Sequence, residues 1–443
     1  MASTRRARAA LAALATTTLV ASACSGGNGN GEQPTDDVPY DSPVTLVWWH
    51  NASEEGPGKA YWQKVADDFM ALHPTVTIEI EAIQNETLQR TRIPAALQAG
   101  APPPDIFMVW GGGEIREQVR DGDYLKDLTP YLDDAFLSNM IALDPWKVDG
   151  KQYGLPFRWG LEGIFYNKEH FAAAGITEPP KTMSELKEAI QKLKAIGVIP
   201  ISVGAGDQWP AAHWWYNFAI RSCSPEALRA AANDHNFDDP CFIRAGELLQ
   251  EFLELEPFQP DFLNTRFSVA DGSAALFGNG QSAMELMGDW FRGTASNFAA
   301  DFDGEKSEYV DRVIGWFPFP EVEGAAGDPT AALGGGDGWG CAKNSPIECV
   351  EFIKYLSTLE VQRGYAETGS GIPVVKGAEE AISQPVLRQI ADATSQAKSA
   401  HLWLDTTYGT TIGTAMNDAI IAIFEGSGTP EGVVEAMKAA AAR

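Results

Sequence analysis

The sequence predicts an α/β protein of more than one domain, and three observations carry that expectation. A length of 443 residues, 44% of them hydrophobic, exceeds one ordinary domain and supplies material for more than one core. Val44–Trp49 (VTLVWW) is too evenly apolar for a half-exposed strand and reads as a strand buried on both faces, as in a parallel sheet. A helical segment and an alternating strand follow directly, which is the start of a βαβ unit.

The elements follow in order. Gly58–Leu72 places Trp62, Val65, Phe69 and Leu72 on one helical face, and His73-Pro74 stops the helix. Thr75–Ile83 alternates strictly, with Val76, Ile78 and Ile80 pointing one way. Asn85 is placed to cap a helix toward Ala99. Prolines then lead into a strand at Asp105–Trp110, a triple glycine turns the chain, and Glu114 starts the next helix. Gly154–Lys168 has extended character, and a helix over Ser184–Ile196 buries Leu186, Ile190 and Leu193. The strand Ile199–Gly204 runs into a loop over Ala205–Trp215. Gly272–Trp290 reads as a short helix, a turn, a strand and a loop beginning at Asp289-Trp290. Arg312–Pro320 is again extended; after Gly334–Gly340 helical periodicity dominates, broken at Gly369–Ala378. No internal repeat of fixed period occurs.

Residues 1–23 read as an export signal: Arg5, Arg6 and Arg8 form a basic start, Ala9–Val20 an apolar stretch, and Ala21-Ser22-Ala23-Cys24 a small-residue cleavage site. A cysteine there resembles a bacterial lipobox, which leaves a diacylated Cys24, although Ala21 stands where leucine is usual. Residues 24–42, rich in Gly, Asn, Asp, Pro and Ser, read as a flexible tether. No later stretch offers about 18 uninterrupted apolar residues, so no transmembrane helix is expected.

The formal charge of −27 becomes −30 once the three arginines leave with the signal, and such a surface repels nucleic acid and anionic lipid. It suits a neutral or cationic ligand better than a phosphorylated one. In an exported protein the economical cysteine pairing is Cys223–Cys241 and Cys341–Cys349, each closing a short loop. Zinc is the rival, but neither pair has C-x-x-C spacing and no histidine lies close.

No G-x-S-x-G, P-loop, H-E-x-x-H or dinucleotide fingerprint occurs, so enzyme readings lack positive support. What stands out is aromatic. Of thirteen tryptophans, Trp49, Trp110, Trp159, Trp209, Trp214, Trp215, Trp290 and Trp339 lie beside loops rich in glycine and polar residues. A flat ring gives large apolar area at little entropic cost and suits the C–H face of a sugar, while neighbouring acids and amides take its hydroxyls. Trp48, Trp62, Trp316 and Trp403, inside apolar or periodic runs, read as core.

Five motifs in register, DIFMVWGGGE, LPFRWGLEGIFYNKEHFAAAGI, NGQSAMELMGDW, IGWFPFPEVEG and GGGDGWGCAKNS, resemble those of the family 1 extracellular solute-binding proteins, the maltose-binding-protein-like receptors of ABC sugar importers. The likeness is strongest to actinobacterial xylobiose-type binders. It implies a two-lobed, type II periplasmic-binding-protein-like α/β fold, each lobe a mostly parallel sheet flanked by helices. The implied crossovers fall near Gly154–Gly160, Tyr309–Gly315 and Gly369–Val375. One lobe would then hold residues 43–154 plus 311–369, the other 155–310 plus 370–443.

By motif position the resemblance implies ligand contacts from His50, Asn51, Glu114, Asp337 and Trp339 on the first lobe. The second would offer Trp159, Asp207, Trp209, Trp214, Trp290 and Tyr408. His213 is expected to support Trp214, and Arg158 to pair with an acid across the hinge. The implied activity is non-enzymatic: capture of a di- or trisaccharide by hinge closure and delivery to ABC permease subunits, with no cofactor and no metal. The implied protein is a monomer on the outer face of the membrane, held through lipidated Cys24. The rival classes are a secreted glycoside-active enzyme and a sugar-sensing receptor of a signalling system.

Overall fold

The computed structural model describes residues 42–443 except 54–55, 99–103, 300–305 and 398. The expected signal, Cys24 and nearly all of the tether therefore lie outside the described residues. The opening strand, β1 (Val44–His50), pairs in parallel with β2 (Val76–Ala82) across the helix Pro57–Leu72, so the βαβ unit forms. β3 (Ile106–Trp110) joins the other side of β1, also parallel. A hairpin of β4 (Lys147–Val148) and β5 (Lys151–Gln152) precedes the short strands β6 (Leu155–Pro156), β7 (Gly160–Leu161) and β8 (Gly163–Asn167). Next come β9 (Ile199–Ile201) and β10 (Ser282–Met287). The remaining strands are β11 (Ile314–Pro318), β12 (Ala332–Gly335), β13 (Asp337–Cys341) and β14 (Ala400–Leu402).

These strands build two main sheets, ordered β2-β1-β3-β13-β6 and β11-β8-β10-β9, and a smaller one, β14-β12-β7. Together with the flanking helices they give the two-lobed α/β architecture. The chain leaves the first sheet after β6, at Phe157–Trp159, and returns to it after β12, at Gly336. Trp48, Trp62, Phe107, Trp339 and Phe352 centre the core on the first sheet. Trp214, Phe218, Phe252 and Phe317 centre another on the second sheet, whose further layer holds Phe165, Phe291 and Trp316. Each such side chain contributes about 1.5–3 kcal/mol by leaving water, which makes each core able to hold its sheet rigid.

Disulfides close Cys223–Cys241 and Cys341–Cys349. The first ties the end of the helix Trp209–Ser222 to the start of the helix Cys241–Leu253. The second ties the end of β13 to the helix Ile347–Leu356.

Several expectations need correction. Parallel pairing is met in β2-β1-β3, but β13 runs antiparallel to β3 and β6, and β8 runs antiparallel to β10 and β11. The stretch from Ile314 to Pro318, expected with the first lobe, pairs with β8 in the second sheet, because an apolar run carries no mark of which sheet it joins. β1 is not buried on both faces: Leu46, Trp48 and His50 are buried, while Val47 and Trp49 are half-buried. Trp49 is covered by the Arg92 guanidinium, 4.6 Å from its ring centroid. Leu72, at the last turn of its helix, is 65% exposed. The helix after β2 is capped by Gln84, whose side chain accepts from Thr87 N at 3.1 Å, and Asn85 is its first residue. The expected loop over Ala205–Trp215 is mostly helix, with a 3-10 turn at Ala205–Asp207 and an α-helix from Trp209.

Candidate ligand-binding cleft

A cleft of about 720 Å³ is lined from both main sheets. From the first come Asn51 just past β1, Asn85 and Glu86 past β2, Trp110 ending β3, and Asp337, which stands opposite Trp110 in register on β13. From the second come Asp207 and Trp209 past β9 and Trp290 past β10; Trp403 and Asp405 follow β14. Almost all stand at the carboxyl ends of strands, where backbone groups are released from the sheet and ligands of open α/β folds collect. The polar end of the opening strand thus reaches the cleft through Asn51.

One wall is aromatic. Trp290 lies 5.6 Å from Trp403 and 6.2 Å from Trp209, ring centre to ring centre. His213 closes the series, 5.0 Å from Trp209 and nearly parallel to Trp403 at 6.4 Å. Behind it is buried Glu162, whose Oε1 accepts from Trp403 Nε1 at 2.7 Å and lies 2.7 Å from His213 Nδ1. Gln208 turns the chain into this wall with a left-handed φ of 65°, strained for a residue with a Cβ, and donates through Nε2 to Asp418 at 2.8 Å.

The charges of the cleft are already matched. Lining cations are Lys59, Arg90, Arg158 and Arg292; lining anions are Glu86, Asp207, Asp337 and Asp405. Arg90 reaches Glu114 at 3.3 Å and, across the cleft, Asp405 at 3.4 Å. Asp207 pairs with Arg266 and accepts from Phe267 N, both at 2.8 Å. Arg292 pairs with Asp311. Arg158 donates to Asp337 and Asp289, each at 2.8 Å. Burial pushes the Glu114 carboxyl up to about 7, against the opposing pull of Arg90. Burial also raises Glu86, against the pull of Arg90 and of the Asn85 amide from which it accepts at 3.1 Å. Burial weakens the Arg158 cation, but Asp337 and Asp289 more than offset this and hold it protonated.

Of the residues expected to contact ligand, Asn51, Asp207, Trp209, Trp290 and Asp337 line the cleft together. Six others do not. His50 is buried beside Trp48 and accepts from Ala52 N. Glu114 stands behind Arg90. Trp159 packs beside Trp146, and Trp339 stacks on Phe157 in the first core. Trp214 stacks on Phe252, and Tyr408 is buried against Phe237. His213 faces the cleft instead of supporting Trp214, and Trp62 and Trp403, read as core, also reach the lining. Asn85, Glu86, Arg90 and Asp405 escaped the sequence reading. Asn85-Glu86, like Asn51, directly follow the carboxyl end of a strand, the position where open α/β sheets gather ligands.

The model of the bacterial extracellular solute-binding proteins matches residues 51–363. The chain belongs to that family. An uncharacterized ABC transporter extracellular-binding protein of Pyrococcus horikoshii is 23% identical over 398 residues, covering 86% of this chain and 82% of its own. A solved chitin oligosaccharide binding protein superposes with a TM-score of 0.79 at 27% identity, over 90% of this chain and 98% of its own. A solved protein from a study of xylan utilization by Caldanaerobius polysaccharolyticus has a TM-score of 0.78 at 27% identity, over 89% and 98%. Among the described residues, no helix is long and apolar enough to cross a membrane.

Proposed function

We propose that this solute-binding protein captures an uncharged oligosaccharide of two or more units by closure of its two lobes and delivers it to an ABC importer. The observation that carries the reading is the Trp209–Trp290–Trp403 wall facing a cleft whose four cations and four anions are balanced. Indole faces cover the C–H faces of pyranose rings, and the paired acids and amides retain lone pairs and N–H groups for hydroxyls. A phosphate or carboxylate would enter with no unpaired arginine to receive it. The two 27%-identical structural neighbours, one named for chitin oligosaccharides and one from xylan utilization, support the same class.

Closure follows from the lining. A sugar that touches both Asn85-Glu86 and Trp290 gains those contacts together only when the walls approach, so binding shifts the population toward the closed form. We place the lobes at residues 43–156 plus 337–369 and 160–335 plus 379–443, with 370–378 passing between them. Cys24 carries the lipid that holds a monomer outside the membrane, and the bound sugar leaves chemically unchanged. A thermal-shift screen over neutral, amino and acidic di- and trisaccharides tests the reading, since a ligand specific to the folded state raises Tm. Neutral oligosaccharides are expected to raise it. Stabilisation by an amino acid, a peptide or a sugar phosphate, and by no neutral sugar, would replace this reading.

A further inference from the structure

We infer that Arg158, on the crossover between the two main sheets, is the positioning residue that sets two of the cleft tryptophans, Trp110 and Trp290, from a single guanidinium. The inference rests on the proposed capture by lobe closure. Arg158 is buried in the three-residue passage between β6 and β7. Its Nε donates to Asp337 Oδ2 at 2.8 Å, and its Nη1 to Asp289 Oδ1 at 2.8 Å. Asp337 opens β13 of the first sheet; Asp289 follows β10 of the second. One cation therefore holds a carboxylate from each.

The remaining oxygens extend the link. Asp337 Oδ1 accepts from the indole N–H of Trp110 at 2.8 Å, which fixes that ring. Asp289 Oδ2 accepts from Ile372 N at 2.8 Å, on a second passage of the chain that bridges Arg158 at Pro373. The guanidinium lies 4.5 Å from the Trp290 ring centroid, so it covers one face of that indole and leaves ligand to the other. A fork of fixed planar geometry can meet two carboxylates and a ring at once; an ammonium, a point charge, cannot.

Glycines enforce the arrangement. A Cβ on Gly160 would stand 2.6 Å from the Asp289 carboxyl carbon, and one on Gly371 2.9 Å from its Oδ2. A Cβ on Gly336 would overlap the Arg158 carbonyl oxygen, 2.0 Å away. The carboxylates and the arginine are packed to a single geometry, so a relative motion of the sheets is felt at this link and, through it, at both rings.

The test compares wild type with Arg158→Lys, which keeps the charge, and with the charge-free set Arg158→Gln, Asp289→Asn, Asp337→Asn. The first readout needs no sugar: indole N–H resonances and their exchange rates in the full chain. In Arg158→Lys the Trp110 indole N–H is expected to exchange faster and the Trp290 signal to shift, while Trp214, in the second core, stays unchanged. The second readout is titration with xylobiose and chitobiose. Arg158→Lys is expected to weaken binding by about tenfold. The triple variant, freed of unpaired buried charge, is expected to recover wild-type Tm without recovering affinity. Unmoved Trp110 and Trp290 signals, or wild-type affinity in either variant, would overturn the positioning role. If wild type binds neither disaccharide nor any other neutral sugar, the capture reading falls, and the indole readout still judges the role of Arg158.

Discussion

Glu285 and the cleft tryptophans show how far one residue can be read. Glu285 sits in β10, fully buried, accepting from Ser202 Oγ and Ser273 Oγ at 2.7 Å. Burial pushes its carboxyl up to about 8, opposed by those two donors. An acid raised on folding stabilises fully below its unfolded value near 4.5 and loses that contribution as pH rises through about 8. Melting curves between pH 5 and 8.5 are therefore expected to show Tm falling with pH in wild type and a flatter profile in Glu285→Gln. His50 acts from the other side: burial, with some help from Lys59, lowers it to about 4, so its contribution is lost as pH falls from 6.5 toward 4. The tryptophans divide by environment. Trp290→Ala is expected to weaken sugar binding by about 2 kcal/mol, roughly thirtyfold, with a small change in Tm. Trp214→Ala, in the core, is expected to cost about 3–5 kcal/mol of stability while the folded fraction keeps its affinity. Calorimetry and thermal melts on the two variants separate these outcomes.

At the scale of elements, strand ends explain what the sequence disclosed and what it hid. The βαβ start and the Asp105–Trp110 strand were legible because apolar periodicity differs between strand and helix. So was Trp290, an aromatic residue at the start of a loop past a strand, whereas Trp209 lies beyond β9 and a 3-10 turn, at the head of a helix. Trp214, given by motif position in a stretch with the look of a loop, points away from the cleft because the stretch is helical and side-chain direction there has a period. In the observed helix Trp209–Ser222, residues 209 and 213 are one turn apart and share a face, while Trp214 is turned toward the core. Trp339 and Asp337 share a strand, but the sheet is covered on both faces there, so only the end residue reaches the cleft. Asp405 and Arg90 were hidden for another reason: their meeting depends on two segments 315 residues apart. The disulfides join neighbouring elements, and reducing both is expected to lower stability by about 2–4 kcal/mol per bridge. Melts with and without a reductant check this; an unchanged Tm would mean that helix packing alone holds those ends.

The whole molecule joins a strongly acidic chain to a cleft whose lining charges balance. The net charge of −27 keeps the surface averse to anionic partners, while the cleft lining carries four cations and four anions, with Asp207, Asp337 and Asp405 held in ion pairs. Recognition then depends on ring faces and hydroxyl geometry, so affinity is expected to change little with ionic strength. The two sheets, separately cored, meet through Arg158, which pairs with Asp289 and Asp337, and through Arg90, which reaches Asp405; there closure and ligand contact become one event. Titration calorimetry of neutral di- and trisaccharides into wild type, with Trp290→Ala beside it, is the most direct measurement. A dissociation constant near the micromolar range, about −8 kcal/mol, is expected for at least one of them, with a clear loss in the variant. Equal affinity in the two proteins, or heat only from a charged ligand, would contradict it.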